Sequence, residues 1–151
     1  MTPGNERERG DLICGVGDTY VCYQRMYMEM GDYTTALDYC RKSYDMFYSK
    51  TGSEITNNVY SLVDMGICHS CLGDFAQAEH YLQRALELNI ALNGQTSLVT
   101  ARTREAIADN YLRQGNTEEA HKLYLALELD FEKNYGPENP QVIRLRKKRG
   151  V

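Results

Sequence analysis

Apolar side chains recur along this chain at the spacing of an amphipathic helix. In the middle of the sequence, Ala78, Leu82, Ala85, Leu86 and Ile90 occupy positions i, i+4, i+7, i+8 and i+12, which form one stripe on a helix. The breaks in the pattern coincide with glycines. The pattern predicts seven helices, at about residues 12–30, 34–49, 55–72, 76–93, 97–114, 118–134 and 140–149.

Two series of glycines recur with a period of 42 residues. Each glycine of the first series opens a short turn and is followed five residues later by an alanine. A fixed period of this length is typical of a repeat architecture, because each helical pair buries its apolar stripe only by stacking on its neighbours. The sequence therefore predicts an all-α fold, a right-handed α-solenoid of tandem helix-turn-helix repeats. The first series is Gly31, Gly73 and Gly115, the second is Gly52, Gly94 and Gly136, and the alanines are Ala36, Ala78 and Ala120.

Three units of 42 residues account for most of the 151 residues. We expect a flexible N-terminal tail at about residues 1–10 and a repeat domain at about residues 11–149. Repeats are predicted at about 16–57, 58–99 and 100–141, and a capping helix at about 140–149. The expected helix N-caps in the longer connections are Ser53, Thr96 or Ser97, and Asn139.

The middle unit carries a recognisable set of small and apolar positions. Gly66, the turn Gly73-Asp74-Phe75, Ala78, Leu82 and the stretch 85–88 together resemble the tetratricopeptide repeat signature. The longer unit and the loop at 135–142 are similar to the kinesin light chain type of this repeat. The resemblance implies a non-enzymatic scaffold or adaptor that binds an extended peptide in a concave groove, lined by the first helix (helix A) of each pair.

The resemblance also places a set of side chains in that groove. Arginines from successive helices A are expected to anchor acidic or backbone groups of the peptide, and apolar residues at the same phase are expected to receive its apolar side chains. The predicted groove residues are Arg25, Met28, Glu29, Val63, Ile67, Ser70, Arg102, Glu105, Asp109, Leu112 and Arg113.

Composition narrows the class of partner to proteins and peptides. The net charge of −4 disfavours nucleic acid, and no apolar run reaches the roughly 20 residues that span a bilayer. The five cysteines are an odd number inside helical patterns, which indicates reduced thiols and a cytoplasmic protein. We expect a monomer or weak homo-oligomer, without a cofactor or a catalytic site.

Three further readings stay open beside the peptide groove. The terminal helices could stack in self-assembly. Cys68 and Cys71 form a CxxC string that could serve a metal or redox regulator, although their place near a helix C-terminus favours a structural role. The basic run 144–149 could be a nuclear-import signal or an anion contact, but a solvated capping helix is favoured.

Overall fold

The structure is a computed structural model that describes the backbone of residues 6–150 and the side chains of residues 18–150. The described part of the chain contains helices and connecting turns without a strand, which confirms the predicted all-α repeat fold. Its seven helices are α1 (Glu6–Glu29), α2 (Tyr33–Thr51), α3 (Thr56–Cys71), α4 (Phe75–Asn93), α5 (Leu98–Arg113), α6 (Thr117–Tyr135) and α7 (Pro140–Lys148).

The helices form three pairs that stack in chain order. We call α1 and α2 unit 1, α3 and α4 unit 2, and α5 and α6 unit 3. The second helix of each unit packs on the first helix of the next, and α6 packs on α7 in the same way. Helix α3 also contacts both α1 and α5, so the first helices of the three units lie side by side. We call their shared surface the helix-A face.

The turn within each unit is built by a glycine, and in units 1 and 2 an aspartate side chain caps the following helix. Gly31, Gly73 and Gly115 have φ angles of 79°, 84° and 89°, a region that residues with a Cβ atom rarely adopt. The carboxylates of Asp32 and Asp74 then accept hydrogen bonds from backbone amides of the following helix. These turns reverse the chain and set the two helices of a unit against each other.

One predicted helix start and one predicted N-cap differ from the structure. Helix α1 begins at Glu6, so residues 6–10 of the predicted tail are helical, while residues 1–5 lie outside the described residues. Helix α3 begins at Thr56, close to its predicted start, but its N-cap is Ile55 and not Ser53, because the Asn58 side chain accepts a hydrogen bond from the Ile55 amide at 2.9 Å. The side chains of Ser97 and Asn139 cap their helices as predicted.

The two junctions between units and the junction of unit 3 with α7 use different chemistry. Between α2 and α3, the buried hydroxyls of Ser43 and Ser61 lie 2.7 Å apart. Between α4 and α5, the buried amide of Asn89 donates to the Thr103 hydroxyl at 2.7 Å. Between α6 and α7, the contacts include ion pairs, and the Arg146 guanidinium donates to a carboxylate oxygen of Glu128 at 2.9 Å.

Within unit 2, the helices approach closely at Gly66. A Cβ atom at this position would lie 2.6 Å from Leu82 Cγ and 3.3 Å from the Ala78 carbonyl oxygen, and Leu82 is itself fully buried. We therefore expect Gly66→Val to lower the free energy of unfolding by about 1–3 kcal/mol through overpacking. Chemical denaturation measures the change. Gln83→Val, at an exposed position of α4, is the control and should change stability by less than about 0.5 kcal/mol.

None of the helices in the described part combines the length and the hydropathy that a bilayer-spanning segment needs.

Candidate functional site

The helix-A face carries hydrogen bonds that run from each first helix to the next. The Arg102 guanidinium on α5 lies 3.4 Å from a carboxylate oxygen of Asp64 on α3, and it also stands over the Tyr60 ring. Further along the same helices, Arg113 donates to the Ser70 hydroxyl at 3.2 Å. Both arginines remain substantially exposed, so each guanidinium keeps donors for a ligand.

A buried polar network lies beneath this face. Asp64 is almost wholly enclosed and accepts a hydrogen bond of 2.7 Å from the Gln24 amide of α1. The carbonyl oxygen of Gln24 in turn accepts from the Ser43 hydroxyl at 2.8 Å. Burial raises the pKa of the Asp64 carboxyl above its ordinary value, although Arg102, Gln24 and Arg25 act against that shift. The network joins α1, α2, α3 and α5 around one carboxylate.

The raised pKa of Asp64 makes stability depend on pH. The folded protein keeps the Asp64 proton to a higher pH than the unfolded chain does. The contribution of Asp64 to the free energy of unfolding is therefore complete below about pH 4, where the unfolded chain also holds the proton, and it is lost as pH rises through the raised pKa of the folded state. We expect Asp64→Asn to match the parent protein below about pH 4 and to become the more stable of the two as pH rises. Urea titrations from acid to neutral pH measure the difference, and a pH-independent difference would contradict this account.

At the α5 end, the helix-A face is occupied by α7. Arg144 forms two hydrogen bonds with the Glu105 carboxylate, and Lys148 lies 2.7 Å from Glu105 and 2.9 Å from Asp109. Burial raises the pKa of Glu105, but the hydrogen bonds from Arg144 and Lys148 outweigh it and leave the pKa below its usual value. Two of the predicted groove acids are therefore neutralised within the fold.

These contacts correct the expectation of a solvated capping helix. Arg144, Arg146, Lys148 and Arg149 are all bound to carboxylates of α5 or α6. On the apolar side of this helix, Val142 and Leu145 are fully buried, whereas Ile143 is exposed. The basic run thus holds α7 on unit 3.

The predicted groove residues fall into three groups. Some are exposed on the helix-A face, some are engaged by other side chains, and some belong to the core or its edge. The exposed residues are Arg25, Glu29, Arg102, Leu112 and Arg113; the acids engaged by α7 are Glu105 and Asp109; the buried or partly buried residues are Met28, Val63, Ile67 and Ser70.

Four further residues belong to this face, and of these only Arg144 and Lys148 lie outside the helix-A positions that the repeat phase predicts. Tyr60 lies under Arg102, Asp64 anchors it, and Arg144 and Lys148 reach in from α7. The repeat period could have predicted the role of Arg144. Arg144 stands one period after Arg102, and each of the two arginines pairs with an acid of the preceding helix A.

The cysteines of the CxxC string face different neighbours. Cys68 is fully buried and its thiol meets that of Cys40, whose pKa this contact and burial raise. Cys71 is partly exposed and hydrogen-bonds with Tyr33. Among the side chains of residues 18–150, no group of three or more His, Cys, Asp or Glu residues is placed to hold a metal ion. This geometry gives no support to a metal or redox site at the string.

A cleft of about 600 Å³ lies on another side of unit 3, between α5 and α6. Ala126 and Thr96 are among its lining residues. One period earlier, Arg84 and Glu54 occupy the same positions and form an ion pair at 2.5 Å. The opening thus reflects the loss of one bridging pair of side chains, and it lies away from the arginines of the helix-A face.

Comparison with known proteins identifies the repeat. The family model for the tetratricopeptide repeat matches residues 16–91 and 56–126. A search of curated proteins finds no relative by sequence. Solved structures do match: BtubC (BKLC) from P. vanneervenii has a TM-score of 0.73 at 14% identity, over 97% of this chain and 56% of that one.

A second solved structure shows the same fold. It contains nearly identical TPR-like repeats of a kinesin light chain candidate from Podosopora anserina, with a TM-score of 0.74 at 16% identity. The alignment covers 87% of this chain and 63% of that chain, so this chain spans less than two thirds of either structure. At such identities the likeness concerns the fold alone, and the family follows from the sequence match. The chain belongs to the tetratricopeptide repeat family.

Proposed function

We propose that this chain is a non-catalytic, cytoplasmic interaction module that binds an extended, acidic peptide segment along the helix-A face. Tetratricopeptide repeats generally mediate protein–protein interactions, and this face is where three consecutive first helices lie side by side. The proposal concerns the exposed part of the face, from α1 to the exposed arginines of α5.

The observation that carries the proposal is an excess of positive charge around Asp64. Arg102 is bound to this carboxylate from α5, and Arg25 on α1 lies within electrostatic reach of it. Arg102 thus pairs directly with the one buried carboxylate, and Arg25 acts on it only electrostatically. Arg113 adds a third cation, whose hydrogen-bond partner is the neutral hydroxyl of Ser70. A carboxylate of a bound peptide would compensate this excess and complete the hydrogen bonds of the guanidinium groups.

Apolar surface lies beside these cations. Leu112 is exposed one residue before Arg113, and Tyr60 is partly exposed beside Arg102. Such a mixture suits a peptide in which acidic residues alternate with apolar ones. Val63 and Ser70 are left out of the proposed contact set because their side chains are buried, and Glu105 and Asp109 are left out because α7 holds them.

Selection from a random peptide library on the immobilised chain tests the proposal. We expect enrichment of Asp and Glu and dissociation constants in the micromolar range, about −8 kcal/mol. Arg113→Glu and Arg25→Glu should each weaken the selected peptides by at least about tenfold, measured by fluorescence polarisation, and the loss should shrink at high salt.

Lys133→Glu is the matched control, because it makes the same change of charge on an exposed position of α6 away from the helix-A face. It should leave binding unchanged. Peptides without acidic residues, or peptides that bind both arginine variants as well as the parent chain, would show that this face is not the binding surface.

A further inference from the structure

Helix α1 exposes apolar side chains at positions that are buried in the other two units. Tyr23 and Met26 are each 42% exposed. The residues one and two periods later hold the same places on α3 and α5, and they are covered. The two positions that correspond to Tyr23 are Met65, which is 4% exposed, and Ile107, which is 9% exposed. The two that correspond to Met26 are Cys68, which is 0% exposed, and Asn110, which is 4% exposed.

The difference lies in what packs on each helix. On α3 and α5 these positions face the second helix of the preceding unit: the Cys68 thiol meets Cys40 of α2, and Asn110 hydrogen-bonds to the Phe75 carbonyl oxygen of α4. A repeat surface that faces water normally carries polar side chains. Helix α1 instead presents Tyr23, Met26 and also Met30, which is 69% exposed. We call these three residues the outer face of α1.

We propose that the outer face of α1 is a self-association surface, on which a second copy of this chain packs its own α1 antiparallel about a two-fold axis near Met26. Continued stacking in the manner of the repeat would need a second helix with an open surface, but α2, α4 and α6 are already covered by α3, α5 and α7. A two-fold arrangement of identical faces closes without such a helix and forms a dimer.

The outer face is self-complementary about this axis. Met26 lies between Tyr23 and Met30 along the helix, so an antiparallel partner brings Tyr23 against the partner's Met30 and Met26 against the partner's Met26. The flanking charges fit an axis within one residue of Met26. Arg25 and Glu29 are both exposed on the neighbouring side of α1, and the antiparallel partner sets Arg25 beside the partner's Glu29.

Sedimentation velocity over a range of protein concentrations tests the association. The 17.3 kDa chain should shift toward the dimer as its concentration rises through the micromolar range. Met26→Glu and Tyr23→Glu should each lower the association constant at least about tenfold, because a carboxylate would be enclosed in the apolar contact. Leu129→Glu, at an exposed apolar position of α6, should leave it unchanged. A monomer at every concentration, or a dimer indifferent to both α1 variants, overturns the proposal.

Cross-linking tests the two-fold axis itself. In a Cys14→Ser, Cys22→Ser background, which leaves α1 without a native thiol, Met26→Cys should give a disulfide-linked dimer with oxidised glutathione. The same background with Leu129→Cys should stay monomeric. Equal cross-linking of the two variants would show random collision rather than a defined interface, and would overturn the proposed axis.

Discussion

Replacement of Tyr124 by alanine is expected to lower the free energy of unfolding by about 3–5 kcal/mol, the largest effect of any substitution considered for this chain. Tyr124 is fully buried in the cluster that joins α5, α6 and α7. Its hydroxyl donates to Asp109, and the Lys148 ammonium stands 5.5 Å from the ring centroid. The truncation therefore leaves a cavity and removes one partner of Asp109.

Tyr124→Phe separates the two contributions. It keeps the ring and its packing and removes only the hydroxyl, so the expected loss is about 1–2 kcal/mol. Asp109 retains its ion pair with Lys148 in this variant. Equilibrium unfolding in urea measures both changes. If the phenylalanine variant lost as much stability as the alanine variant, the packing argument for this cluster would be wrong.

A charge reversal at Glu105 is expected to release α7 from unit 3. Glu105→Lys would place a third cation beside Arg144 and Lys148, where the parent chain has one shared carboxylate. Because the site is partly exposed, we expect a loss of about 2 kcal/mol, between the values for surface pairs and for buried ones. Hydrogen exchange measures the release of α7 as faster exchange of the backbone amides of residues 140–149.

Glu132→Lys is the matched control for that experiment. Of the basic residues of α7, only Arg146 pairs with Glu132, at 3.2 Å. In this variant Arg146 keeps its ion pair with Glu128, which is more buried. The loss should stay below about 1 kcal/mol. Equal release of α7 by the two variants would mean that Glu105 has no special part in holding it.

The repeat could be predicted from the sequence because its turns depend on local chemistry. Gly73 and Asp74 shape the turn with their own backbone and side chain, whatever the rest of the chain does. The start of α1 and the N-cap of α3 were less predictable. Gly15 and Gly17 weaken a helix locally without preventing one that packs on a neighbour, and the choice of Ile55 over Ser53 depends on the side chain of Asn58.

The exposure of the groove residues was harder to predict. The position of a residue within the repeat gives only the direction in which its side chain leaves the helix. Val63 and Arg102 both point toward the shared face. The neighbouring helices enclose the short side chain of Val63, whereas the long side chain of Arg102 reaches solvent. Whether Glu105 is open to a ligand depends on α7, which the buried Val142 and Leu145 and the ion pairs of Arg144 and Lys148 hold in place together.

The unequal chemistry of the junctions has a consequence for the order in which the array comes apart. A repeat protein behaves as a row of units coupled to their nearest neighbours, and it unfolds in one step only while all couplings are similar. The junctions at Ser43 and at Asn89 contain buried, uncharged hydrogen bonds, whereas the contacts that hold α7 include partly exposed ion pairs, which salt screens. Ionic strength thus sets the cooperativity of this chain: dilute buffer favours a single transition, and concentrated salt favours unzipping from α7 inward.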